Sequence, residues 1–173
     1  MTPTEKLQAM QAEQRPWVAH NFGDRPSWMP FLGIVEELGE REACDHDYGG
    51  SERHDEVVDA LADVMIFSMD YCSAVGWDIG SLWDAALTYG VCEVNLLTNL
   101  GKIAHAHLKK AQGIRVNENH DAEGRVGMIH LFVNLRKLAE DECIDLIDET
   151  YRVWQIVKQR DWKKDPAHAG EAP

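Results

Sequence analysis

Two acidic clusters, Glu36-Glu37-x-x-Glu40 and Glu56-x-x-Asp59-x-x-x-Asp63, carry the residue types and spacings in this chain that can do chemistry. On a helix, residues three or four apart share a face, so each cluster presents its carboxylates together. Carboxylates gathered in this way repel one another unless cations neutralise them, and hard oxygen donors select Mg²⁺, with Mn²⁺ as the next choice. Ions held so can grip a polyphosphate, polarise a phosphorus centre and lower the pKa of a bound water. The bland alternative is that Glu36, Glu37 and Glu40 are solvated while Asp59 and Asp63 pair with Arg or Lys from another helix or a second subunit.

The second cluster lies within an apolar run, Val57-Val58-Asp59-Ala60-Leu61-Ala62-Asp63-Val64-Met65-Ile66-Phe67. At about 100° per residue, Glu56, Asp59, Asp63 and Asp70 fall in one sector of roughly 60°, and the rest of the surface is apolar. A helix apolar on most sides is surrounded by protein, so its acidic stripe must face something inside the assembly. In the preceding helix Phe31, Ile34, Val35 and Leu38 form the expected buried stripe, with Glu36, Glu37 and Glu40 on the far side. A polar turn over Asp45 to Gly50 would make the two helices antiparallel neighbours, and four to six carboxylates would converge.

Apolar residues recur at helical spacing along nearly the whole chain, and alternating β-branched runs are missing, which predicts an all-α protein. The expected helices cover Thr4 to Ala19, a Ser27-capped segment to Cys44, a Ser51-capped segment to Val75 stopped by Gly76, Ser81 to Tyr89, Val91 to Gln112 with Gly90 as a joint, Arg125 to Glu140 and Glu142 to Arg160. Gly113 to Gly124 reads as a polar loop. One domain over residues 1–165 is expected, with a flexible tail over 166–173.

With 17 basic and 30 acidic residues, the net charge of −13 argues against a nucleic-acid polymer or an anionic membrane surface as partner. Cys44, Cys72, Cys92 and Cys143 lack C-x-x-C spacing and read as reduced, small core residues. No signal segment or membrane-length apolar stretch is apparent, so a cytoplasmic protein is expected.

Glu37-x-x-Glu40, fifteen intervening residues and Glu56-x-x-Asp59 together resemble the ExxE…ExxD signature of the MazG-like, all-α nucleoside triphosphate pyrophosphohydrolases. That superfamily also includes dimeric dUTPases, dCTP pyrophosphatases and phosphoribosyl-ATP pyrophosphohydrolases. Asp59-Ala60-Leu61-Ala62-Asp63 looks like the second motif of one branch, whereas others write it Glu-Leu-Ala-Asp, so either Asp59 or Asp63 can be the principal aspartate ligand. The likeness extends over about Trp17 to Lys110: Trp17, His20 and Asn21 fall in a lead-in that helps hold the base, Gly76-Trp77-Asp78-Ile79 matches a later turn, and Asn99-x-x-Lys102 resembles a phosphate-contacting pair.

The resemblance implies a helical bundle completed by oligomerisation, as a homodimer or homotetramer, and Mg²⁺-dependent hydrolysis of an NTP, with a dNTP favoured, to the monophosphate and pyrophosphate. Glu37, Glu40, Glu56 and Asp59 would hold the ions, and Glu36 or Asp63 would accept a proton from the attacking water. Lys102, with Lys109 or Arg115, would neutralise the phosphate tail; read by themselves, these residues fit a solvated basic face equally well. Trp17, His20 and Asn21 could likewise serve packing and turn chemistry. His46, His107, His120, His130 and His168 read as surface or partner-bonded. Two rival readings are a non-catalytic helical interaction or divalent-ion-binding protein, and an HD-type phosphohydrolase suggested by His54-Asp55. A di-iron carboxylate bundle is discounted because no Glu-x-x-His occurs.

Overall fold

The computed structural model describes residues 1–47, 49–89 and 95–167. Among these, seven α-helices and no strand are formed, in line with the all-α expectation: α1 (Pro3–Phe22), α2 (Trp28–Asp47), α3 (Gly50–Val75), α4 (Ile79–Thr88), α5 (Leu96–Gln112), α6 (His120–Asp141) and α7 (Leu146–Val157). Gly90, Cys92 and His168, and most of the anticipated tail, lie outside the described residues. No helix among them is long and apolar enough to cross a membrane. Contacts divide the chain into two compact units, Met1–Ile79 with Ile144–Pro173, and Gly80–Cys143.

Local chemistry sets the helix ends. Thr2 and Glu5 form a reciprocal capping box on α1, and the helix runs through Asn21 and Phe22 to stop at Gly23, whose φ of +69° suits glycine. Gly49, rather than Ser51, occupies the cap position of α3, and Gly76 ends it in the left-handed region as anticipated. The loop before α6 is shorter than its composition suggests, because the Asn119 side chain accepts from the Ala122 amide and starts the helix there.

In the first unit α3 is the central element. It packs against α1, α2 and α7, burying Val57, Leu61, Val64, Met65, Met69 and Tyr71. Gln11 and Gln14 of α1 reach into this core and donate to the carbonyls of Trp77 and Ile66 at 3.0 and 2.9 Å, satisfying polar groups that burial would otherwise penalise. The α2–α3 approach is close at one point: a Cβ on Gly33 would lie 2.4 Å from the Phe67 ring. On α2, Ile34 and Leu38 are buried as expected, but Val35 is exposed and joins Trp28, Met29 and Leu32 in an apolar surface row. In the second unit α5 packs on α6, with Gly127 admitting Ile103. Trp83 of α4 stacks edgewise on Phe132, and Arg136 donates to the Ala86 carbonyl. Cys44 and Cys72 are buried, whereas Cys143 is exposed with a φ of +60°, contrary to its reading as a core residue.

Candidate active site

Helices α2 and α3 form an antiparallel hairpin whose register follows from its contacts. Gly33 meets Phe67, Glu37 lies within electrostatic reach of Asp63, Cys44 within reach of Glu56, and Asp45 binds Arg53 at 2.6 Å. The pairs step in opposite directions along the two helices, which sets Glu40 level with the Asp59 to Asp63 turn. Glu37 and Glu40 of α2 thus act on Asp59 and Asp63 of α3 across the hairpin.

Their environments differ. Glu37 and Asp63 are half-buried, while Glu36, Glu40, Glu56 and Asp59 are exposed. Desolvation pushes the Glu37 carboxyl up to about 8, and Asp63, Glu40, Glu36 and Asp59 add to the shift in that order. Asp63 is pushed up to about 7 by desolvation and Asp59, with Glu40 contributing, against a lowering influence from Arg160. Glu56 acts instead on the Cys44 thiol, toward one end of the hairpin. Asp70, at the far end of the acidic stripe, is buried and forms an ion pair with Arg25, the kind of pairing that the bland alternative expects of Asp59 and Asp63.

No spacing or motif marks Arg160 in the sequence, where it is one of several cations near the C-terminal end. The residues expected to hold a base are the ones that fix its position. The Trp17 indole donates to the Arg160 carbonyl at 3.1 Å, His20 Nε2 lies 3.3 Å from Asp161, and Asn21 Oδ1 accepts from the Trp162 amide at 2.7 Å. Trp17 also packs edgewise on Trp154 and Phe22. Hydrogen bonds from Lys164, and from His20, hold Asp161 down to about 2.

The expected phosphate contacts belong to the second unit. Asn99 is buried and donates to Asn134 at 2.6 Å, whereas Lys102 is exposed and lies near Val126 and Glu123. Lys109 is half-buried, and Arg115 approaches Glu118 at 3.6 Å. His54 and Asp55 are both exposed.

The facing carboxylates suit a hard divalent cation. Glu37 and Asp63 sit among like charges that the Arg160 guanidinium offsets only in part, and all the donors are oxygen. Their oxygens do not come within 4.8 Å of one another in threes; among the described residues that closeness occurs at His105, Glu118 and Glu123. Comparison with family models, curated proteins and solved structures gave no match.

Proposed function

We propose that the chain is a Mg²⁺-dependent nucleoside triphosphate pyrophosphohydrolase of the MazG-like type, acting on an NTP, with a dNTP favoured, as a homodimer or homotetramer. The observation that carries this reading is the facing of Glu37 and Asp63 across α2 and α3, each desolvated and each raised by its acidic neighbours. Such an arrangement is unfavourable in a protein that leaves it uncompensated, and a bound divalent ion removes the penalty.

Glu37, Glu40, Glu56 and Asp59 would hold Mg²⁺, or Mn²⁺ in its place. When bound, the ion would neutralise the polyphosphate and acidify water. Asp63 has the better claim to the proton of the attacking water, because it is half-buried in the cleft between α2 and α3, whereas Glu36 is exposed. Attack at the α-phosphorus would break the α–β anhydride bond and release pyrophosphate. Arg160, whose charge acts on Asp63 in the free protein, would turn to the phosphates. Trp17, His20 and Asn21 would shape the nucleotide end through the segment they fix. The exposed row of Trp28, Leu32 and Val35 supports association of copies.

A non-catalytic ion-binding role has its own support in the Arg160 influence on Asp63. Pyrophosphate release from a panel of canonical and modified (d)NTPs with Mg²⁺ or Mn²⁺ separates the two. The proposal expects turnover that Glu40→Gln and Asp59→Asn depress, and binding of ions without turnover would favour the rival.

A further inference from the structure

A second group of ligating side chains lies wholly within the second unit, and nothing in the proposed reaction uses it. His105 projects from α5, Glu118 from the loop after α5, and His120 and Glu123 from the first turn of α6. One ligand atom each from His105, Glu118 and Glu123 lies within 4.8 Å of the others. Glu118 Oε2 is 4.0 Å from His105 Nε2 and 3.9 Å from His120 Nδ1, and Glu123 Oε2 is 4.0 Å from the same His120 nitrogen.

His120 supplies an independent sign. Its side chain is 9% exposed, and Nε2 lies 3.0 Å from the Ile114 carbonyl oxygen. A carbonyl can only accept, so Nε2 carries a proton and Nδ1 is the ring nitrogen left for a ligand. That nitrogen is buried and makes no hydrogen bond among the described residues, yet it is aimed at two carboxylates. Two carboxylates directed at one buried nitrogen call for a cation between them, and a divalent ion bound at Nδ1 would supply it. The carbonyl bond at the opposite ring nitrogen is the support that metal-ligating histidines ordinarily have. Arg115 lies 3.6 Å from the other Glu118 oxygen, Oε1, which leaves Oε2 toward the histidines.

We propose that His105, Glu118, His120 and Glu123 form a Zn²⁺-class transition-metal site that fastens the loop after α5 to α6. Two imidazoles and two carboxylates are a donor set for zinc or a later first-row divalent ion rather than for Mg²⁺. Ligands at about 2.0–2.1 Å around a tetrahedral ion sit about 3.4 Å apart, so the three pairs now at 3.9–4.0 Å close by about half an ångström, and His120, which lies outside the 4.8 Å group, moves further to join it. Long, exposed glutamate side chains and a half-buried His105 allow that movement.

The test is titration of the full chain with Zn²⁺ in excess Mg²⁺, followed by calorimetry and by ¹⁵N shifts of the imidazole nitrogens. Zinc is expected to move His105 Nε2 and His120 Nδ1 while the His120 Nε2 proton stays in place. His105→Gln and Glu123→Gln, both at accessible positions, should each weaken binding by about tenfold or more with an unchanged far-ultraviolet spectrum. Absence of zinc binding, binding unaltered in both variants, or zinc binding that leaves His120 Nδ1 unmoved would each overturn the proposal.

Discussion

The indole N–H of Trp17 donates to the main-chain carbonyl of Arg160, whose guanidinium in turn lowers the pKa of Asp63. An aromatic residue on α1 thus fixes the backbone of Arg160, a residue after α7 that counters charge in the acidic cleft. With the segment pinned also by Asn21 and His20, the cation acts on Asp63 from a constrained backbone rather than from a loose tail.

Arg160→Ala should therefore make the cleft more negative. Mg²⁺ binding without nucleotide is expected to tighten by a few-fold, on the order of 1 kcal/mol for a charge in partly screened surroundings. Nucleotide affinity should fall, and Arg160→Lys should restore much of both effects. Calorimetric titration checks this, and looser Mg²⁺ binding in Arg160→Ala would contradict it.

Stability without metal should decline as pH rises from about 4 to about 8. Glu37 and Asp63 have folded-state values raised to about 8 and about 7, from ordinary values of 4.5 and 3.8. Between the unfolded and folded values the unfolded chain ionises while the folded chain keeps its protons, so the unfolded state gains with each step in pH. The loss is complete above the folded values. Mg²⁺ should remove much of this dependence and release protons on binding near neutral pH. Urea unfolding at pH 5 and pH 8.5, with EDTA or with Mg²⁺, measures both effects.

Gly33→Ala tests the hairpin register. The added methyl would lie 2.4 to 2.6 Å from three carbons of the Phe67 ring, so the ring or a helix must move. Overpacking of this kind costs about 1–3 kcal/mol, offset in part by the better helix propensity of alanine. Phe67→Leu in the same chain should recover part of the loss in denaturant unfolding.

Asp70 should behave differently from its neighbours on the stripe. Asp70→Asn leaves the partly buried Arg25 without its counter-charge and should destabilise by about 1–3 kcal/mol. Turnover per folded molecule should be unchanged, because Asp70 faces Arg25 rather than α2. A thermal melt paired with an activity assay on the folded fraction separates the two.

The parts of this fold that depend on local periodicity could be read from the chain. The 3.6-residue pattern of α3 places Glu56, Asp59, Asp63 and Asp70 on one side, and the short polar connection makes α2 its antiparallel partner. The separate fates of those four carboxylates could not be read, because they depend on which distant cation arrives. Arg25 reaches Asp70 from the α1–α2 connection, Arg160 reaches Asp63 from beyond α7, and neither is marked by spacing. Val35 illustrates the same limit: its position suits the buried stripe of α2, but no described neighbour covers it. Trp17, His20 and Asn21 drew notice for their types, and the structure gives them a partner, the 160–162 segment, that lies too far along the chain for pattern to suggest.

The most direct test of the account is pyrophosphate release from (d)NTPs with Mg²⁺ by the unaltered chain, Glu37→Gln and Asp63→Asn, each variant shown to be folded. Neutral isosteres relieve the like-charge repulsion, so both variants should be at least as stable as the parent without metal. The account predicts turnover by the parent and a fall of about 100-fold or more in each variant. Turnover undiminished in both variants, or none by the parent with Mg²⁺ or Mn²⁺ on any nucleotide, would contradict it.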